Sequence, residues 1–167
     1  MRTRVLVFVL AALAAVVPAP AAAAPTAPAA VAPWVAPMDG GLDVTRSFEP
    51  PPGPYGAGHR GVDLAGAPGS PVRAASDGVV VFAGMVAGRP VVSIDHAGGL
   101  RTTYEPVHPS VAAGQQVARG SPIGTLVPGH AGCPRDACLH WGLRRGSTYL
   151  DPMLLLRPVR VRLLPLG

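Results

Sequence analysis

Asp77-Gly78-Val79-Val80-Val81-Phe82, then Val91-Val92-Ser93-Ile94, then Gly98-Gly99 running into Leu100-Arg101-Thr102-Thr103-Tyr104, is the stretch that decides the fold. Each run is short, rich in β-branched residues and bounded by turn formers, the pattern of strands joined by tight turns. Glycine and proline, 21 of each, divide the rest into short segments, and none of these holds a 3.6-residue apolar period. Helix is therefore a poor reading. A further strand is expected over residues 159–163, and a single helical turn over 153–156, after Asp151-Pro152. The expected architecture is all-β and antiparallel, a β-sandwich or partly open barrel.

Working outward, residues 1–24 read as a signal peptide. Arg2 and Arg4 make a basic start, the chain is apolar from Val5 to Val17, and Ala22, Ala23 and Ala24 offer small-residue cleavage sites. The apolar run is shorter than the roughly 20 residues a membrane span needs and meets Pro18. No stable membrane span is expected after processing, and no cysteine lies nearby to carry a lipid. Residues 25–37 form an Ala/Pro-rich spacer that favours extended conformations over a packed core. Residues 38–167 suffice for one domain with one core.

All 14 basic residues are arginine, against nine acidic ones. Two arginines leave with the signal peptide, and the remaining excess of three suits an anionic extracellular surface such as a cell wall. No nucleic-acid partner is expected, because export removes it and no basic run is interleaved with aromatics. Residues 111–126 carry a glycine-spaced near-repeat like those of biotinyl and lipoyl carrier domains. That function is excluded, because the cofactor is attached through lysine and the chain has none.

Cys133 and Cys138 are the only cysteines. In an exported chain with an even count, a disulfide between them is the default, and it would fix the approach to His140. His59 and Asp63 lie four residues apart, and extended backbone puts them on one face, as it does Cys138 and His140. Two imidazoles and a carboxylate suffice to hold zinc with its fourth position open. Taken alone, the pair also reads as a surface-loop histidine and a turn carboxylate.

The wider context is more specific. Gly58-His59-Arg60-Gly61-Val62-Asp63-Leu64, Gly69-Ser70-Pro71-Val72-Arg73-Ala74-Ala75, Asp77-Gly78-Val79-Val80, Ile94-Asp95-His96, Thr103-Tyr104 and Leu139-His140 occur in this order. The pattern resembles the lysostaphin and LytM family of zinc endopeptidases over residues 43–156. The resemblance implies a β-sheet fold of the duplicated hybrid motif type, whose groove holds one Zn2+ ion and cuts peptide bonds of bacterial peptidoglycan. By motif position it implies His59, Asp63 and His140 as metal ligands, and His96 as a structural histidine.

It also implies two assisting histidines, and both are replaced here. The family's Tyr-x-His is Tyr104-Glu105-Pro106, and its His-x-His is Cys138-Leu139-His140. Neither proline nor a disulfide-bonded cysteine titrates. Three residues are candidate substitutes. Glu105 adjoins the vacated position, but alternation from Pro106 points it to the opposite face; His108 keeps the alternation; and His130 can fold back from the cysteine loop. A reduced Cys138 thiolate would instead close the zinc site as a fourth ligand. Arg144-Arg145, with Gly146 and Tyr149, reads as a solvated turn at the groove rim or as a grip on peptidoglycan carboxylates. The expected function is that of a secreted or cell-wall-associated domain that binds zinc and peptidoglycan peptides, with impaired catalysis and a cell-wall hydrolase as a partner. An active zinc endopeptidase is the alternative.

Overall fold

The computed structural model of the chain describes residues 34–53 and 55–157. Its strands are β1 (Val44–Arg46), β2 (Gly61–Gly66), β3 (Pro71–Arg73), β4 (Gly78–Val86), β5 (Arg89–His96), β6 (Leu100–Glu105), β7 (Val107–Pro109), β8 (Gln116–Val117), β9 (Pro122–Leu126), β10 (Ala137–Arg145) and β11 (Thr148–Leu150). The large sheet runs β1-β2-β10-β6-β5-β4-β8, with β11 paired to β10, and a small sheet runs β3-β9-β7. All of these pairings are antiparallel. β1 and β8 end the large sheet without pairing to each other, so it stays open, as the all-β antiparallel expectation allows.

Side-chain alternation sorts the two faces of the large sheet. Leu139, Trp141 and Leu143 of β10, Thr102 and Tyr104 of β6, and Val92, Ile94 and His96 of β5 are buried. Val72, Val107, Ile123 and Leu126 of the small sheet join the same hydrophobic cluster. The other face of β10 presents Cys138, His140, Gly142 and Arg144, and the site is built there.

One polar thread crosses the core. The Ala75 N–H donates to Tyr104 Oη at 3.0 Å, and Thr102 Oγ1 lies 3.0 Å from Tyr104 Oη and 2.7 Å from His96 Nε2. His96 Nδ1 donates to Asp77 O at 2.8 Å. Burial lowers the His96 pKa and pushes the Tyr104 phenol up to about 12. His96 is thus a core histidine, as its sequence context implies.

The expected helical turn is present as a 3-10 turn over Pro152–Leu156, with Asp151 Oδ1 accepting from Met153 N. The expected strand over 159–163 and the signal segment 1–24 lie outside the described residues. At the end of the Ala/Pro tract, Val35 N donates to Ala75 O at 2.9 Å and the Trp34 ring meets His96 edge-on, so residues 34–37 adhere to the domain. Among the described residues no helix is long and apolar enough to cross a membrane.

Candidate functional site

β2 and β10 are neighbours in the large sheet, and their register sets Asp63 directly opposite His140. Cross-strand partners share a face, so both side chains project from the sheet away from the core. His59 arrives differently from the expected shared strand, because β2 begins only at Gly61. A two-bond bridge to Glu49 holds it instead: Glu49 N donates to His59 O at 3.0 Å and His59 N to Glu49 O at 2.8 Å. Gly61 leaves room for this convergence. A Cβ there would lie 2.4 Å from Trp141 O and 2.8 Å from His140 Nε2.

His59 Nε2 lies 3.0 Å from Asp63 Oδ1 and 3.0 Å from His140 Nδ1, and His140 Nδ1 lies 2.9 Å from Asp63 Oδ1. Among the described residues this is the set whose ligand atoms all lie within 4.8 Å of one another. His59 Nδ1 donates to Ser47 O at 2.7 Å, which leaves Nε2 with a bare lone pair directed at the other two atoms. Three lone-pair atoms in mutual contact repel unless a cation or protons lie among them. Their spacing is a few tenths of an ångström below the about 3.3 Å edge of a tetrahedron with zinc–nitrogen bonds of about 2.0 Å. The donor set therefore fits zinc. With protons rather than a cation among these atoms, burial would raise the Asp63 pKa, but hydrogen bonds from protonated His130 and His140, and the positive charges of the neighbouring imidazoles in that state, hold it well below the usual carboxylate range.

His130, from the cysteine loop, places Nε2 3.1 Å from Asp63 Oδ1 and stacks its ring 5.7 Å from that of His140. It is not a member of the three-ligand set. Its Nδ1 is buried without a hydrogen-bond partner. Cys133 and Cys138 form a disulfide, which takes the Cys138 sulfur out of any ligand set. The same bond ties the loop carrying His130 to the strand carrying His140.

Glu105 corrects the sequence expectation. It is the register partner of His140 and lines the cleft, because Tyr104 faces the core and its neighbour must face away. Alternation counted from Pro106 misplaced it: β6 ends at Glu105, and Pro106 is buried. Alternation counted from Tyr104 gives the right face. Arg89 Nε pairs with Glu105 Oε1 at 2.6 Å. His108 lies exposed on β7 of the small sheet and lines neither cleft beside His140. Spacing also gave no signal for Ser47, Arg46 or Arg89, which long-range pairing brings to the site.

Two adjoining clefts of ≈ 220 and ≈ 260 Å³ share Arg60, Glu105 and His140. The first continues to Arg101, Arg144 and Tyr149, and the second to Arg46, Arg89 and His130. Arg144 is therefore a cleft residue, while Arg145 is exposed.

The model of peptidase family M23 matches residues 57–152, a span that includes all three ligand-type residues. A protein of Mycobacterium tuberculosis described as uncharacterized is 53% identical over 128 residues, covering 74% of this chain and 51% of that protein. The DD-carboxypeptidase/endopeptidase Mpg of Neisseria meningitidis is 34% identical over 101 residues, covering 60% of this chain and 23% of that protein. The chain thus spans about half, or less, of the length of these relatives. The catalytic domain of the antimicrobial peptidase lysostaphin from Staphylococcus simulans superposes with a TM-score of 0.57 at 28% identity, covering 69% of this chain and 92% of that one. With the family pattern running from before His59 to beyond His140 and the lysostaphin fold beneath it, the chain belongs to peptidase family M23.

Proposed function

We propose that this chain is exported by residues 1–24 and that its Ala/Pro-rich tract 25–37, whose last residues 34–37 pack on the domain, presents residues 38–167 at the bacterial cell wall as a zinc-holding domain. There it binds peptidoglycan peptides, cleaves them poorly and regulates a cell-wall hydrolase. His59, Asp63 and His140 are the ligands in this reading. The observation that carries it is the meeting of their three ligand atoms at 2.9–3.0 Å, with the second nitrogen of His59 tied to Ser47. A bound zinc ion supplies Lewis acidity at neutral pH. The weak turnover follows from Pro106 and from Cys138, whose sulfur is bonded to Cys133. Lost proton transfer costs about 10² to 10⁴ in rate, and a lost oxyanion donor about 10² to 10³.

A second reading, an active zinc-dependent peptidoglycan endopeptidase, draws support from His130. Its imidazole stands 3.1 Å from Asp63 with one ring nitrogen unpartnered, and Glu105 faces the same cleft. The test is metal analysis of the purified chain, followed by incubation of the zinc-loaded protein with peptidoglycan and measurement of released amino termini. The binding reading expects about one zinc per chain, lost in His59→Ala, with release near background. Release that His59→Ala and His130→Ala both abolish would favour the endopeptidase. Absence of zinc after gentle preparation would sink both.

A further inference from the structure

The site face of the large sheet is ordered in rows across its strands. Glu105, His140 and Asp63 form one row. Two residues along the strands lie Ser93, Thr103, Gly142 and Gly61, and two further lie Asp95, Arg101, Arg144 and Tyr149. Arg101 and Arg144 are therefore direct cross-strand partners. Like charges in that relation destabilise a sheet.

One carboxylate stands beside them. Asp95 is held by Arg101 through Nε and through Nη2, the latter at 2.7 Å. Arg144 donates from Nη1 to Gly146 O at 2.9 Å, and among the described residues it makes no ion pair. The row thus keeps a net positive charge at one end of the ≈ 220 Å³ cleft whose other end is His140. Between the ends lies Gly142, where an added Cβ would meet nothing nearer than 3.4 Å. Packing does not demand glycine at that point, and its bare backbone leaves a trough in the cleft floor.

We infer that Arg101 and Arg144 form a carboxylate-binding subsite, so that the cleft takes a peptide lying along β10 with a carboxylate seated on the two arginines. The inference rests on the proposed reading of this cleft as a peptide site. Arg144 lies four steps beyond His140 along β10, about 13 Å at about 3.3 Å per residue. An extended peptide advances at a similar rate, so the carboxylate belongs to a residue within about four positions of the bond lying over His140. Planar guanidinium donors match a carboxylate in geometry as well as charge. The α-carboxylate of a chain end and an acidic side chain offer the same chemistry.

The test uses the full chain in EDTA, so that no carboxylate can bind through a metal. Calorimetry compares acetyl-Ala-Ala-D-Ala as the free acid, its C-terminal amide, and the amide with Glu at the second position. At least one acidic peptide is expected to bind about tenfold or more tightly than the neutral amide. The preference should shrink with added salt and disappear in Arg144→Gln, with the thermal unfolding curve confirming that the variant folds. A preference confined to the free acid assigns a chain end, and one confined to the Glu peptide assigns a side chain; either supports the subsite. Gly142→Val should weaken all three peptides by filling the trough. Equal binding of the three peptides, or a preference that Arg144→Gln retains, would overturn the inference. A carboxylate preference in a protein that takes up no zinc would leave the subsite standing and remove the metal reading.

Discussion

Gly61 and Gly142 are cross-strand partners, yet they should respond oppositely to the same added methyl group. At Gly61 a Cβ meets Trp141 O at 2.4 Å, His140 Nε2 at 2.8 Å and His140 Cε1 at 2.9 Å. The first of these is backbone of β10, and the ring belongs to a candidate ligand, so relief requires the two strands to part or His140 to turn away. Overpacking of this kind costs about 1–3 kcal/mol. At about 3–5 °C per kcal/mol for a domain of this size, Gly61→Ala should lower Tm by about 3–15 °C. Moving a ligand off its position should also weaken zinc binding by about 10- to 100-fold, the range seen when a ligand's support is removed. At Gly142 the nearest atoms to an added Cβ are Arg60 O at 3.4 Å and Thr103 Cβ at 3.7 Å, ordinary contacts. Gly142→Ala should change stability by less than about 1 kcal/mol and, by restricting the unfolded chain, tends to raise it. Thermal unfolding of metal-free protein and zinc affinity by chelator competition read the two effects separately. Equal Tm and equal affinity for the two variants would refute the assignment of Gly61 as the space into which His140 fits.

Three further outcomes are expected. Tyr104→Phe removes the acceptor of the buried Ala75 N–H and a neighbour of Thr102; urea unfolding should show a loss of about 1–3 kcal/mol, the cost of stranding a buried polar group. Burial lowers the His96 pKa, so the unfolded chain binds this proton more readily. The corresponding stability is present above the unfolded pKa of about 6.5 and is lost as pH falls through it towards the lower folded value. Urea midpoints at pH 7.5 and 5.5 should therefore differ less in His96→Gln than in the parent chain. Replacing Cys133 and Cys138 together by serine should cost about 2 kcal/mol by loop entropy. Because the disulfide tethers the loop that carries His130, the His130 ring should also lose its fixed position beside Asp63, seen as broadened or shifted imidazole resonances.

The sequence made the metal-ligand candidates legible because ligand chemistry is carried by residue type, and His59, Asp63 and His140 are sparse in a chain with five histidines and nine acids. The strands over Val79, Val92 and Tyr104 were legible because β-branched runs between glycines have few other uses. Glu105 was misplaced because alternation gives a face only relative to a chosen anchor. Tyr104, a large side chain that fills the core at 0% exposure, was the reliable anchor, whereas Pro106 stands where the strand stops. His130 required the loop to be traced in space, since nothing in local spacing brings it back over Asp63. The cross-strand pairing of Arg101 with Arg144 was equally hidden, because it depends on the register between strands far apart in the chain.

The Asp63–His140 pair joins positions 77 residues apart, so the metal-ligand geometry exists only after β10 has found its place between β2 and β6. A slip of one residue would turn Leu139 outward and carry His140 into the core. On the proposed reading, metal uptake would therefore report correct strand alignment as well as ligand chemistry. Such distant pairing places folding in the slower, millisecond-to-second regime. If zinc enters only the aligned state, its capture during refolding should lag behind collapse and coincide with the last gain of sheet structure.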